Sequence, residues 1–480
     1  MANFSRRSGL KVRMALIAVL ALVPAVGGAE PIPEVESLRE ELKAVRRSEQ
    51  ETNEKLRALE RKLDALTADR DAKAASNTQA LPTAAASGGS SKLRLLDVSL
   101  NGLFAAGWSD ADGESLSELQ GGGHDPKRRG FTVQNVELSL TGAVDPYLTG
   151  ETHIVFQLDP DEGETLVELE EAFVTTQSLP YGFQLEAGHF FTEFGILNPN
   201  HPHAWDWLDQ PVINTRIFGP DGMRAPGARL GWLTPLPWYS QLHFGVQNAN
   251  GETVVSFLAN DEVLDERPVG GAIGGDRSVN SLDELVYLTR FENFWELDDE
   301  LSAKLGVSGL LGPNPTGDDS ETYVYGADLK LKWLPNYSFR GWPFVTWESE
   351  YLRREYHTAP FALDSASAEL GAGESLVGGD TLTDQGFYTQ LLWGFRSGWA
   401  TGMRVEHAFG SGDSVLNDSE DPLRDSRYRL SPMLAWYPSE FSRVRIQYNY
   451  DDAEHLETGD AHSFWLGWEI LYGAHPAHQF

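Results

Sequence analysis

A short segment with two histidines and two aspartates has the residue types of a metal site. His201 and His203 flank Pro202, and Asp206 and Asp209 follow them. Imidazole nitrogens and carboxylate oxygens both suit Zn²⁺. Because the proline limits how far the rings converge, we predict a structured loop tip that holds no metal, with a metal site at His201 and His203 as the alternative.

Two runs of acidic residues offer oxygen ligands of a harder kind. They are Asp159-Pro160-Asp161-Glu162 and Asp451-Asp452-Ala453-Glu454, and we expect both in external loops. Carboxylates there could hold Ca²⁺ or Mg²⁺ that bridges to anionic lipid. The alternative is that both runs are simply solvated, and no other cofactor is predicted.

Charged side chains also form two groups that could act on a passing ion. The segment 193–226 is predicted to fold inward as a constriction loop that carries His201, His203, Asp206, Asp209, Arg216, Asp221 and Arg224. Facing it, the inward sides of later strands are predicted to carry Arg404, Glu406, Arg427, Arg429, Arg443, Arg445, Lys330, Lys332, Glu348 and Glu350.

A basic wall opposite an acidic loop would set a transverse field that filters ions by charge. Replacing Arg443 and Arg445 by Glu is then expected to shift ion preference toward cations. The alternative is that these arginines and acids pair with one another and stiffen the structure.

Composition and missing motifs exclude several other classes of protein. The 480 residues contain no cysteine, which removes disulfide scaffolds, thiolate metal sites and cysteine nucleophiles. With 71 acidic against 38 basic residues and a net charge of −33, nucleic acid is not an expected partner. The chain has no Gly-rich phosphate loop, His-Glu-x-x-His or Gly-x-Ser-x-Gly motif. We predict that it is not an enzyme.

The elements that position these charges follow a two-residue period beyond residue 94. Val136, Leu138 and Leu140 share one face of a segment whose other face holds Glu137 and Ser139. The charged face must meet water, and the apolar face suits lipid. Connections between such segments alternate between short and long. We predict an all-β transmembrane fold, a closed antiparallel β-barrel of about 16 strands over residues 94–480.

The first 93 residues predict three different segments. Basic residues before the apolar stretch Met14–Val26 indicate a signal peptide over 1–29. A heptad of apolar residues from Val35 to Leu66 indicates a short α-helical coiled coil within 30–66, with a lone amphipathic helix as the alternative. Residues 67–93 are rich in Ala, Ser, Thr and Gly, which is typical of a flexible linker.

Three motifs resemble an outer-membrane family. Phe131-Thr-Val-Gln-Asn-Val-Glu-Leu-Ser-Leu-Thr-Gly142 resembles the second strand of phosphate-selective porins. Leu169-Glu-Glu-Ala-Phe-Val174 and Leu185-Glu-Ala-Gly-His-Phe-Phe-Thr-Glu-Phe-Gly195 are similar to the strands that follow and to the start of the third loop. A coiled coil before a barrel is similar to trimeric porins with a periplasmic stalk. The resemblance implies a sixteen-stranded, trimeric diffusion channel.

The function expected from these features is passive diffusion of small hydrophilic or ionic solutes through a pore narrowed by the third loop. The expected location is the outer membrane of a Gram-negative bacterium, with the N-terminal segment in the periplasm. Lipid, lipopolysaccharide, the barrel-assembly machinery and two further copies of the chain are the expected partners. The alternatives are a binding or uptake component for zinc or another divalent cation, and a structural barrel that tethers the envelope.

Overall fold

A computed structural model describes residues 96–158, 163–266, 269, 277–359, 361–362, 376–377, 379–412 and 421–473. The chain divides into two units, residues 1–90 and 91–480, and the described residues all belong to the second. The signal peptide, coiled coil and linker predicted before residue 94 lie outside the described residues, as does the acidic run 159–162.

Sixteen strands build one closed sheet. They are β1 (Asp97–Ser109), β2 (Gly130–Ala143), β3 (Leu148–Leu158), β4 (Thr165–Thr176), β5 (Phe183–Phe191), β6 (Arg224–Leu233), β7 (Tyr239–Asn248), β8 (Leu285–Glu296), β9 (Leu301–Pro313), β10 (Glu321–Trp333), β11 (Phe344–His357), β14 (Thr381–Arg396), β15 (Trp399–Ser411), β16 (Arg427–Ser439), β17 (Ser442–Ala453) and β18 (Asp460–Gly473). Two short strands, β12 (Phe361–Ala362) and β13 (Leu376–Val377), pair with each other.

Each barrel strand pairs antiparallel with its neighbours along the chain, and β18 pairs with β1 to close the sheet. The prediction of a closed antiparallel barrel with sixteen strands is confirmed. Closure leaves no strand edge in the barrel unpaired, which is what a sheet in a lipid environment requires.

The two faces of the sheet differ as the sequence period requires. On β11, Trp347 and Tyr351 point outward and are 41% and 42% exposed, whereas Glu348 and Glu350 point inward and are buried. Successive strand residues face opposite sides, so one register fixes both faces. Large exposed hydrophobic side chains recur on the outward faces of other barrel strands, for example Leu391, Trp393, Leu466 and Trp468.

Three short α-helices lie in the described parts of the connections. They are α1 (Gly113–Leu119), α2 (Val212–Phe218) and α3 (Asp261–Glu266). Asp112 caps α1, where its side chain accepts a hydrogen bond of 2.9 Å from the Ser115 amide. None of the helices in the described part of the chain has the length and apolarity needed to cross a membrane.

The connections at the two ends of the barrel differ in length. Turns such as 144–147 and 397–398 lie at one end, which we call the short-turn end. At the other end, the long-loop end, lie loop 1 (110–129), loop 3 (192–223) and loop 4 (249–284). The helices α1, α2 and α3 belong to these three loops, which carry most of the polar contacts described below.

Candidate functional site

Loop 3 turns toward the inside of the barrel at Gly195. This residue has a φ of +67°, and an added Cβ would collide with the Glu350 carboxylate, so the turn requires glycine. The Gly195 amide donates to Ser308 Oγ at 3.3 Å, and the Ile196 amide donates to Glu350 Oε1 at 3.3 Å. These bonds attach the start of loop 3 to the inner faces of β9 and β11.

Asp209 attaches loop 3 to another part of the wall. Its carboxylate forms an ion pair with Arg404 on β15 and another with Arg429 on β16, at 3.1 Å. From β17, Gln447 Nε2 donates to it at 2.8 Å and Asn449 Nδ2 at 2.6 Å. Asp209 is 1% exposed, so four donors from three adjacent strands replace the water it would otherwise bind.

The backbone of loop 3 is held by two more arginines of the same wall. Arg443 Nη2 donates to the His203 carbonyl at 2.9 Å. Arg445 Nη1 donates to the carbonyls of Trp205 and Trp207, each at 2.9 Å. Both arginines also pair with Glu469, at 2.6 and 3.1 Å. Each guanidinium therefore links the Glu469 carboxylate to backbone carbonyls of loop 3. The five N–H donors of a planar guanidinium suit this double role.

Apolar contacts also hold loop 3 against the inside of the barrel. Trp207 is 1% exposed, packs among Leu392, Ala400 and Met433, and donates from Nε1 to the Ser431 carbonyl at 2.9 Å. In α2, Ile217 is fully buried in a cluster that includes residues of loop 4. The Val212 amide at the start of α2 donates to Glu406 Oε2 at 2.7 Å. Loop 3 thus packs against the inside of the barrel as a protein core does.

Loop 1 docks beside loop 3. The carbonyl of Leu119, at the end of α1, accepts a bond of 2.6 Å from Arg427 and another of 2.6 Å from Arg429. Both arginines also pair with Asp451, at 2.8 Å each. Because the C-terminal end of a helix presents unpaired carbonyls, two cations are favourable there.

Two aspartates of neighbouring loops have pKa values displaced in opposite directions. Burial would raise the pKa of Asp209, but the charges of Arg404 and Arg429 outweigh it and lower this pKa to about 2. Burial and the nearby Asp209 charge raise the pKa of Asp125 in loop 1 to about 6, against weaker opposing effects that include Lys127. Asp125 nevertheless accepts bonds of 2.9 Å from the amides of Gln210 and Gly122.

We expect the contact between loops 1 and 3 to strengthen as the pH falls from 7 to 5. Docked Asp125 has a pKa of about 6 against an ordinary value of 3.8, so the docked state binds more protons. The contribution of protonated Asp125 to docking is therefore complete below about pH 4 and is lost as the pH rises through 6, by roughly 3 kcal/mol in all, of which about 1 kcal/mol is lost between pH 5 and 7. Hydrogen-exchange protection of the Gln210 amide should be higher at pH 5 than at pH 7. Asp125→Asn should abolish that difference, and an equal pH response in the variant would contradict the assignment.

The predicted wall residues all face the inside, but most are covered by loops. Arg404, Glu406, Arg427, Arg429, Arg443 and Arg445 are at most 5% exposed. These arginines are therefore paired with acids, which was the alternative to an open transverse field. On the opposite arc Lys330 keeps a 39% exposed side chain although it pairs with Glu348 at 3.0 Å. Lys332 beside it is half-buried, and Glu350 is buried against loop 3.

The predicted loop residues separate into several contacts. His201 and His203 lie against glutamates of β2 and β4, as detailed below. Arg216 donates to the carbonyls of Arg424 and Asp425, each at 3.0 Å. Asp221 lies 3.8 Å from His124 of loop 1.

Two placements made from the sequence were wrong. Arg224 is the first residue of β6, where it pairs with Glu168, and does not belong to the loop. The acidic run at 451–454 is not a loop, because Asp451 and Asp452 belong to β17. Asp451 points inward and is 1% exposed, since Arg427 and Arg429 neutralise it there.

Sequence reasoning missed a second buried ion network. Asp384 on β14 pairs with Arg354 at 2.6 Å and with Arg424 at 3.0 Å. Arg290 on β8 pairs with Asp328 at 2.6 Å. Asp384, Arg354, Arg290 and Asp328 occupy the inward faces of their strands, so the two-residue period carried their signal, whereas Arg424 lies in the connection before β16. The pairing of particular members depended on register.

No family model matches the chain. An uncharacterized protein of Aquifex aeolicus (strain VF5) is 28% identical over 415 residues, which cover 82% of this chain and 81% of that protein.

Similar solved structures are outer-membrane porins and channels. The channel DcaP of Acinetobacter baumannii has a TM-score of 0.48 at 13% identity and covers 78% of this chain and 96% of its own. An anion-selective porin from Comamonas acidovorans has a TM-score of 0.46 at 10% identity and covers 78% and 100%. OprB of Pseudomonas putida has a TM-score of 0.46 at 10% identity and covers 78% and 94%. Identities this low concern the fold alone.

Proposed function

We propose that this protein is a porin-like channel of the outer membrane through which small hydrophilic or ionic solutes diffuse, and that loop 3 narrows it. The observation that carries the proposal is that loop 3 lies inside the barrel and covers only part of its inner wall. The loop is bound tightly to the arginines of β15–β17, whereas lysines on β9 and β10 remain exposed inside the barrel. The solute path lies between loop 3 and these lysines.

The charges along this path would set its ion preference. The side chains of Lys304 and Lys330 are 35% and 39% exposed, and Lys332 is half-buried beside them. Asp206 of loop 3 acts electrostatically on both Lys330 and Lys332. The lysines therefore face an acidic residue of loop 3. We assign the transverse field expected from the sequence to these lysines and Asp206, and not to the arginines of β15–β17.

A cavity of about 510 Å³ at the long-loop end is the proposed external entrance to the path. It is lined by residues of loops 1, 3 and 4, including Lys127, Arg216, Asp221 and Glu252. Both signs of charge occur in this lining, which suits a solute that arrives with its hydration shell. The long-loop end is accordingly assigned to the cell exterior, as in bacterial barrels with short periplasmic turns.

The outward face supports the membrane location. Leu391, Trp393, Leu466 and Trp468 are between 43% and 53% exposed on the outer surface. Soluble monomers rarely expose contiguous apolar patches larger than a few hundred Å². A barrel whose outer face is apolar over many adjacent strands fits lipid.

Lys330→Glu tests the proposed path. In a planar bilayer under a salt gradient, the variant should shift the reversal potential toward cations and lower the anion-to-cation permeability ratio by roughly twofold or more. Arg353→Glu makes the same charge change on the outward face of β11, at a side chain that is also 39% exposed. It should leave the reversal potential unchanged. A protein without discrete conductance, or equal shifts from both variants, would refute the proposal.

Trimerisation is part of the same proposal and depends on the heptad pattern before the barrel. Electrophoresis of detergent-solubilised protein should show a trimer without heating and a monomer after heating. Removal of residues 30–66 from the mature chain should weaken the trimer if the coiled coil contributes to it.

A further inference from the structure

A cluster of histidines and glutamates lies where loop 3 meets β2, β3 and β4, away from the lysine-lined path. Its members are Glu137, His153, Glu170, Glu171, His201 and His203. Glu137 is fully buried and Glu170 is 1% exposed. Burying carboxylates at this depth is costly unless cations accompany them.

A β-bulge brings two consecutive glutamates to the same face. His153 pairs with Glu171 in the β3–β4 register, but the next pair is Ile154 with Leu169, so Glu170 is the extra residue. An extra residue interrupts the alternation of the strand and redirects a side chain. As a result Glu170 and Glu171 both contact His201 inside the barrel, at 2.9 and 2.8 Å.

Ligand atoms of three residues converge on one point. Glu137 Oε1 lies 2.8 Å from His153 Nδ1 and 3.4 Å from His201 Nδ1, and the three ligand atoms lie within 4.8 Å of one another. In a tetrahedral zinc site with Zn–N and Zn–O bonds near 2.0–2.1 Å, neighbouring ligand atoms are about 3.3 Å apart. Small side-chain shifts would therefore form such a site.

A fourth candidate ligand lies beside these three atoms. Glu170 Oε2 is 2.9 Å from His201 Nδ1, although Glu170 is not among the three residues whose ligand atoms all lie within 4.8 Å of one another. A shift of the Glu170 side chain would bring its carboxylate to a metal bound by the other three.

The second ring nitrogen of one histidine is held as in known metal sites. His201 Nε2 lies 2.8 Å from Glu171 Oε2, whereas His153 Nε2 lies 3.8 Å from Glu151 Oε2, too far for a hydrogen bond. Histidine ligands usually donate their second ring N–H to a carboxylate, which fixes the tautomer and the ring orientation. Glu137 Oε2 lies 2.9 Å from His203 Nδ1, which leaves Oε1 for the metal.

We propose that Glu137, His153, Glu170 and His201 bind a Zn²⁺ ion that fastens loop 3 to β2–β4. Two imidazoles and two carboxylates suit zinc better than calcium or magnesium, which prefer oxygen ligands alone. His203 and Glu171 are positioning residues, because each orients a ligand. With the metal on one arc and the arginines on the other, loop 3 is attached to both sides of the barrel.

Zinc binding by the whole purified protein tests this proposal. Protein in detergent is stripped with a chelator, equilibrated with Zn²⁺, dialysed and analysed for metal content. One zinc per chain is expected for the native sequence, with Ca²⁺ unable to displace it. His153→Gln with His201→Gln should weaken zinc binding by about a hundredfold or more, and Glu171→Gln by about ten- to a hundredfold.

His243→Gln is the matched control, since His243 is another inward-facing histidine, 6% exposed on β7 and outside the cluster. The His243→Gln variant should still bind one zinc per chain. Heat-modifiable electrophoretic mobility reports whether each variant still forms a barrel. Co²⁺ in place of zinc should give the intense visible absorption of tetrahedral coordination in the native protein and not in the double variant. Lack of zinc in the folded native protein, or equal zinc in the folded double variant, overturns the proposal and leaves an imidazolium–carboxylate network.

Discussion

Asp209→Ala should release loop 3 from β15–β17 and raise the single-channel conductance about twofold or more. The substitution removes the acceptor shared by Arg404, Arg429, Gln447 and Asn449. Two arginines that are at most 2% exposed would then lose a buried counter-charge. Breaking a buried ion pair by removing one partner costs about 3–5 kcal/mol. Since that cost applies only while loop 3 is docked, the undocked state gains by the same amount.

Asp206→Ala is the control for this experiment, because it removes a carboxylate three residues earlier in the same loop. Asp206 is half-buried, and its charge acts on Lys330 and Lys332 as well as on Arg443 and Arg445, but it is not the acceptor that Arg404 and Arg429 share. It should alter ion preference with little change in conductance. Hydrogen exchange gives an independent readout, since the Leu208 and Val212 amides, which donate to Gln447 and Glu406, should lose protection in Asp209→Ala only. Unchanged conductance and protection would show that Asp209 does not anchor the loop.

Acid should act on the same anchor in the same direction. The Arg404 and Arg429 charges hold the pKa of Asp209 at about 2, below its ordinary value of 3.8, despite burial. Its contribution to docking is therefore complete above about pH 4 and is lost only as the pH falls toward 2. Between pH 5 and 7 the anchor stays ionised, so the response expected in that range belongs to Asp125.

The barrel fold could be predicted from the sequence because one physical constraint dominates the pattern of its strands. A strand between water and lipid must alternate, and Tyr323, Tyr325 and Leu329 show that period against Thr322 and Asp328. The closed antiparallel barrel of about 16 strands expected from that period is the sheet that the structure shows. The error at 451–454 has the same origin, since consecutive acids favour a loop unless inward arginines neutralise one of them.

The contacts that hold loop 3 against the inner wall were less predictable, because many of them involve backbone groups. Arg443 and Arg445 bind carbonyl oxygens of residues 203, 205, 206 and 207, and a carbonyl is present at every position whatever the side chain. No residue type at these positions marks the contact. The sequence could place arginines on the inner wall, but it could not tell an open wall from one covered by the loop.

The histidine cluster was predicted in part. His201 and His203 were singled out for their residue type, whereas Glu137 and His153 come from β2 and β3 and meet only through register. A signal for the rest was present in Leu169-Glu-Glu-Ala-Phe-Val174, where two adjacent glutamates interrupt the alternation of a strand. Such an interruption indicates a bulge, and bulges are frequent next to functional sites.

The double substitution Arg443→Glu and Arg445→Glu should mainly displace loop 3. If the arginines lined an open pore, the main effect would instead be a shift of ion preference toward cations. Both arginines are at most 3% exposed and flank the fully buried Glu469. Two further carboxylates there would leave three buried negative charges together and four loop carbonyls without donors. Because neither repulsion nor desolvation can be relieved while loop 3 stays in place, we expect the loop to leave the wall, with higher and noisier conductance.

The matched comparison is Lys330→Glu combined with Lys332→Glu, which makes the same total charge change on the exposed arc. That variant should reverse ion preference while the conductance and the protection of the Leu208 amide stay close to native, since Lys330 and Lys332 do not hold the loop. The arginine variant should lose the protection and gain conductance. Should the arginine variant change only ion preference and keep a native, quiet conductance, the arginines would face open solution, and the docked position of loop 3 would be wrong.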